Sequence, residues 1–97
     1  MMRLTISPTA IQDLKLLSEY FLANNVEAGE KLFQEFNHKC QNLTNFPKMG
    51  RTYSHINPSL RGIPLDGYII FYRVTDTQLE IVRVISGRQN LPDVFKS

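Results

Sequence analysis

Asp66-Gly67 sits between two alternating apolar runs, and it restricts the possible folds of this chain more than any other feature. A two-residue type I′ turn needs positive φ at both positions, which Asp and Gly tolerate, so the pair predicts a tight hairpin between Leu65 and Tyr68. A second polar joint, Thr75-Asp76-Thr77, separates Tyr68 to Val74 from Leu79 to Ser86. Ser59 to Arg88 therefore reads as a three-stranded antiparallel meander. In its middle strand Tyr68, Ile70, Tyr72 and Val74 point to one face and Ile69, Phe71 and Arg73 to the other. Bulky groups on both faces place that strand inside a sheet. Pro64 cannot donate to a ladder, so the first strand lies at an edge or is bulged there. An edge with free carbonyls is a place where a partner's strand can add.

The segment before the meander reads as helical. Leu4 and Ile6 alternate within a short first strand, Arg3 to Ser7. Ser7-Pro8 starts a helix, since Ser7 can cap the free amides and Pro8 loses no hydrogen bond at the first helical position. Ile11, Leu14, Leu17, Phe21 and Leu22 form its apolar stripe, and Leu16 and Tyr20 widen the stripe, so the helix is expected to touch two neighbours. Asn24, with Glu27 three residues on, has the form of a capping box for a second helix. In that helix Ala28, Leu32, Phe36, Cys40 and Leu43 share a face, and Pro47 ends it. The two helices should pack as an antiparallel hairpin. Lys48 to Pro58 has no periodicity and reads as a loop. After Gly87-Arg88, the tail can supply Leu91, Val94 and Phe95 as one helical turn.

At 97 residues, with 42% hydrophobic and 21% charged content, the chain has the size and composition of one globular domain, residues 1–97. The fold class expected is α+β, in the order β-α-α-β-β-β, with the helix hairpin packed on an antiparallel sheet. One cysteine, Cys40, excludes an internal disulfide and fits a reducing compartment, where it acts as a small buried apolar residue. No stretch of eighteen apolar residues and no cleavage signature occurs, so the expectation is a cytoplasmic protein without a membrane partner. A net charge of +2 is too small for a nucleic-acid coat. Four of the 11 basic residues, Arg61, Arg73, Arg83 and Arg88, nonetheless lie within or just after the meander. As a set they suggest a binding surface for phosphate or carboxylate groups.

Arginine stays protonated and cannot act as a general base. Cleavage of RNA through its 2′-hydroxyl needs a base, an acid and cations for the phosphorane charge. The candidates for proton transfer are His55, His38, Tyr53, Tyr68, Tyr72 and a few lysines. His55 is the most suggestive, in a loop with Lys48, Arg51 and Tyr53. No metal-ligand spacing, glycine-rich phosphate loop or nucleophile elbow is present, and no cofactor is expected.

Several pieces match a known family in order and spacing. They are Ser7-Pro8 with Ala10 and Asp13, Phe46-Pro47 followed by Gly50-Arg51, Leu60-Arg61, Tyr68 to Arg73, and Glu80 to Val84 running into Gly87-Arg88. Together they resemble the RelE/ParE toxin superfamily over nearly the whole chain, with the ParE branch favoured. The resemblance implies a bacterial type II toxin neutralised by a small ParD-like antitoxin. In such a hetero-oligomer the antitoxin's acidic, amphipathic tail would cover the helix hairpin and an exposed sheet edge. The ParE branch implies poisoning of DNA gyrase by direct binding. Arg61, Arg73, Arg83, Arg88 and Phe95 would then make target or antitoxin contacts, and no sequence-specific nucleic-acid binding or catalytic residue is expected. The RelE branch implies a ribosome-dependent mRNA endoribonuclease that would use His55, Arg61 and Arg88. A non-toxic homologue is the third alternative. Phe95 stands where ribosome-dependent relatives keep a tyrosine or histidine, Ser86 where many relatives have histidine, and Asn90 where many have aspartate. These departures favour the binding toxin over the nuclease.

Overall fold

A computed structural model describes residues 2–95. The order is β1 (Arg3–Ile6), α1 (Pro8–Asn24), α2 (Val26–Asn45), β2 (Arg51–Thr52), β3 (Leu60–Leu65), β4 (Tyr68–Val74), β5 (Gln78–Ser86) and α3 (Leu91–Val94). The strands form one five-stranded sheet in the order β1-β5-β4-β3-β2. The meander is as expected, and Asp66 (φ 45°) and Gly67 (φ 85°) both take the positive φ that the hairpin demands. The sheet is antiparallel from β2 to β5 and mixed overall, because β1 pairs parallel with β5 through Arg3↔Gln78 to Ile6↔Ile81. Parallel pairing requires a long crossover, and here the whole helix hairpin and the meander lie between the two strands.

The central strand β4 divides the apolar side chains between two cores. On the helix side, Ile70 and Tyr72 pack with Ile63, Leu65, Leu79, Ile81 and Val84 against Ala10, Leu32, Phe36, Cys40 and Leu43. On the outer side, Phe71 packs with Tyr53, Leu60 and Ile85 beneath Ile56, Leu91, Val94 and Phe95. The loop after α2 and the C-terminal turn thus roof the sheet's second face. Phe71 takes edge-on contacts from both, with ring centroids 5.0 Å from Tyr53 and 5.0 Å from Phe95. Arrangements of this kind favour the aromatic quadrupoles.

Local chemistry shifts some boundaries. α1 runs through Asn24, whose side-chain amide turns back to donate to the Tyr20 carbonyl, so the cap of α2 is Asn25. Asn25 is extended (φ −166°) and accepts from the Ala28 amide at 3.1 Å. Within the segment read as a loop, Arg51 and Thr52 form β2 against Gly62 and Arg61. β2 ends before Pro64, whose outer flank is therefore an unpaired edge. The Pro64 carbonyl there accepts from Lys39 Nζ at 2.7 Å. The bulge lies in β5, where Phe71 pairs with Arg83 but Tyr72 with Ile81, leaving Val82 as the extra residue. Without it Val84 and Ile85 could not fill the helix-side and outer cores that Ile81 and Phe71 begin.

Gly29 is buried where the helices meet, and a Cβ there would fall 2.7 Å from Phe21 Cβ. We predict that Gly29→Ala destabilises the fold by about 1–3 kcal/mol through overpacking, despite alanine's better helix propensity. The midpoint of urea unfolding checks this. Burial pushes the Cys40 thiol up to about 11. Cys40 should accordingly resist iodoacetamide at pH 8 in the folded protein and react only after unfolding, as mass spectrometry would show.

Candidate protein-binding surface

The helix hairpin leaves half of its apolar stripe uncovered. Leu14, Leu17 and Phe21 pack against the core, whereas Ile11, Leu16, Tyr20 and Leu22 are each more than half exposed. The first helix has the two neighbours expected of it, β5 and α2, and these four side chains lie outside both contacts. Beside this helix runs a stretch of β5 that is paired with β4 on one side and has no strand on the other, since β1 ends at Ile81. The start of α1 satisfies part of that edge. Ser7 donates from its amide to the Ile81 carbonyl and from Oγ to the Val82 carbonyl, each at 2.9 Å. The same Oγ caps α1 by accepting from the Ala10 amide. Asp13 follows one turn on. Its carboxylate accepts from the Val84 amide at 3.0 Å and from Arg83 Nε and Nη2 at 2.8 and 3.0 Å.

Beyond Val84 the clasp ends. A groove of about 360 Å³ opens between α1 and the remaining edge, lined by Leu16, Leu17, Tyr20, Val84, Ile85 and Ser86 among others. A second hollow of about 240 Å³ lies between the helices, lined by Phe21, Leu22, Val26, Gly29 and Phe33. An amphipathic helix or an extended segment finds apolar contacts in both, and strand hydrogen-bonding groups in the first.

The four arginines do not form one strip. Arg61 lies on the helix-side face of β3, and its Nη1 donates to the carbonyls of Gly50 (2.8 Å) and Lys48 (3.2 Å). Arg83 turns to Asp13, which holds its proton more firmly than usual through that hydrogen bond, against a smaller opposing effect of burial. Arg73 lies on the outer face between Leu60 and Glu80 in register, with its Nε buried and unpartnered. Arg88 is exposed after the end of β5. Arg83 pairs in register with Phe71, on the face of Arg73, but its guanidinium is drawn to Asp13 on α1.

His55 is exposed beside Tyr53, with ring centroids 5.9 Å apart. Tyr72 is fully buried; its hydroxyl donates to the Pro47 carbonyl and accepts from the Gly50 amide. Burial raises its pKa above the ordinary tyrosine value, and the Gly50 hydrogen bond and the Arg61 charge offset part of the rise. Phe95 is half-buried on Phe71. Among the described residues no cluster of His, Cys, Asp and Glu could hold a metal, and no helix is long and apolar enough to cross a membrane.

Comparison with known proteins matches this architecture to one family. The model for the ParE toxin of the type II toxin-antitoxin system, parDE, matches residues 4–91. The chain belongs to the ParE toxin family. It is 28% identical over 68 residues to Toxin ParE3 of Caulobacter vibrioides, an alignment covering 70% of this chain and 68% of that one. A solved structure titled as the chromosomal ParDE TA system from P. aeruginosa shares the fold, with a TM-score of 0.74 at 20% identity. That match covers 89% of this chain and 96% of the other.

In this ParE-family chain Asp13 is the residue that the helical pattern undervalued. It occupies the polar side of α1 in sequence, and only its proximity to the β5 edge reveals its part in building the groove. Asp13→Asn removes the charge from a partly buried pair and leaves Arg83 without its counter-ion. We predict a loss of about 1.5–3 kcal/mol in chemical denaturation, the range for hydrogen bonds to charged groups. Hydrogen exchange should speed up first at the Val84 amide.

Proposed function

We propose that this toxin acts by binding DNA gyrase, breaks no bond itself, and is held inactive by a small antitoxin of the ParD type. The observation that carries the reading is the exposed apolar side of α1 beside an unpaired end of β5, on a chain of the ParE family. Such a surface suits a partner that folds as it binds. The antitoxin tail would lay apolar side chains on Leu16, Tyr20 and Leu22 and offer backbone groups to Val84–Ser86. A title naming a ParDE system for a structure of the same fold supports the same partner.

The side chains support binding over catalysis. Neither His55 nor Tyr72 is disposed with the arginines as a proton-transfer pair, and Phe95 has no proton to give. In this reading Arg73 and Arg88 make direct contacts. Arg61, Arg83 and Phe95 contribute by holding a turn, the β5 edge and the outer core in place.

Inducing the chain in a bacterium and pulse-labelling should show DNA synthesis stopping before protein synthesis, and the purified chain should inhibit supercoiling by gyrase. An early translation stop with cleaved transcripts would overturn the reading in favour of a nuclease. Co-expression with the product of an adjacent small reading frame should restore growth, and Leu16→Asp with Tyr20→Asp should abolish that rescue.

A further inference from the structure

The turn from Phe46 to Gly50 exposes two large apolar side chains while its backbone is tightly restrained. Phe46 is 66% and Met49 52% exposed. The Phe46 amide donates to the Asn42 carbonyl, and the Met49 amide to the Phe46 carbonyl at 3.1 Å. Tyr72 Oη, fully buried, bridges Pro47 and Gly50, donating to one at 2.8 Å and accepting from the other at 2.9 Å. Arg61 reaches in to the Lys48 and Gly50 carbonyls. Two core-anchored side chains thus give four hydrogen bonds to a five-residue turn. Its apolar tips stay more than half exposed after folding, yet the backbone that carries them is fixed in advance, which lowers the entropy lost when a partner takes them up.

Charge indicates what kind of partner fits. From Phe36 to Leu65 the chain has no Asp or Glu, while it carries Lys39, Lys48, Arg51 and Arg61. Lys48 lies between the exposed pair in the chain, Arg51 follows it, and both are themselves exposed. Lys48 and Arg61 also line a neighbouring hollow in which Asp76 is the single acid. The turn is remote from the α1 groove. It leads into β2 at the far edge of the sheet, about 14 Å from β5 across three strand spacings. It also lies near the Arg61–Tyr72 pair, four residues from the Leu65–Tyr68 end, about 13 Å along the strands.

We propose that the Phe46–Gly50 turn is a preformed docking knob for the toxin's target, and that its complement is a protein surface with an apolar socket rimmed by carboxylates. The proposal rests on the reading of this chain as a toxin that acts by binding. A large aromatic side chain at a fixed point, flanked by charges that steer the encounter, has the composition of an interface hot spot. A target interface of ordinary size, about 800 Å² on each partner, would extend from this corner toward the α1 face. An antitoxin bound there would obstruct the target without touching the knob.

The test compares two double variants of the full chain in the same growth-arrest assay, Phe46→Ser with Met49→Ser and, as a control, Gln34→Ser with Asn37→Ser on the exposed side of α2. All four side chains are exposed, so both variants should keep a cooperative thermal melt and the wild-type circular dichroism spectrum. The expected result is that the knob variant needs at least about tenfold more inducer to arrest growth while the control variant arrests as wild type does. Tyr72→Phe, which keeps Phe46 and Met49 but frees the turn, should give an intermediate loss, as should Lys48→Glu with Arg51→Glu. Arrest by the folded knob variant at the wild-type inducer level would overturn the proposal, and so would an equal loss in the control variant. If the wild type arrests growth but leaves supercoiling by purified gyrase unaffected, the gyrase reading fails and the arrest ratio still judges the knob. A wild-type chain that arrests nothing would overturn both.

Discussion

The fold depends on how α1 closes the open edge of β5. β1 covers only the first part of that strand, and a bare edge would leave carbonyls and amides without partners beside an apolar core. Ser7 and Asp13 resolve this from a single helix. Ser7 ends β1, caps α1 and bonds Val82, so one side chain joins three elements. Asp13, one and a half turns later, binds the Val84 amide and the Arg83 fork together. Both contacts fall at the Val82 bulge. The extra residue swaps the faces of the last residues of β5, so that Val84 serves one core and Ile85 the other.

With α1 fixed in that position, the uncovered surfaces follow from geometry. A helix clasped to a strand edge by its first turns can direct only one side of its apolar stripe to the core, through Leu14, Leu17 and Phe21. Gly29 draws α2 close against Phe21 and leaves no room to rotate the remaining stripe inward. Ile11, Leu16, Tyr20 and Leu22 therefore stay in water. Exposed apolar side chains gathered on one helix are uncommon on a monomer surface and mark an interaction site. Membership of a toxin family that works with a partner protein gives this exposure a purpose.

The meander was legible because its signals are local. Asp66-Gly67 demands one turn type, and the alternation of Tyr68 to Val74 assigns each side chain to a face that the structure retains. The helix hairpin was legible for the same reason, with Asn25 in place of Asn24 decided by a single hydrogen bond back to Tyr20. What the sequence did not disclose are long-range pairings. The parallel alignment of β1 with β5 joins segments some 75 residues apart, and the Asp13 clasp about 70. Strict alternation from Leu79 would set Arg83 on the face of Ile81 and Ile85, but nothing local shows that Val82 is the residue that breaks it. The exposed half of the α1 stripe carries the same apolar residues as a buried one, so periodicity reads both as core. Arg61 and Arg83 looked like parts of a basic strip for a similar reason, because spacing cannot show that one braces a turn and the other pairs with a helix.

Those two arginines bear on how such a protein can act. A nuclease of this size would need its cations free to meet phosphate and a proton donor beside them. Here Arg61 and Arg83 are occupied by carbonyls and a carboxylate, and the buried Tyr72 hydroxyl, which shares Gly50 with Arg61, is engaged at both ends. Releasing either arginine for catalysis would loosen the Phe46–Gly50 turn or open the β5 edge, and with it the surface a partner would grip. The interactions that hold the turn and the β5 edge are the ones that occupy these two arginines. What the fold leaves available is shape: a groove at one corner, a firmly held apolar turn at the opposite one, and a sheet stiff enough to present both at once. All three serve the binding role proposed above.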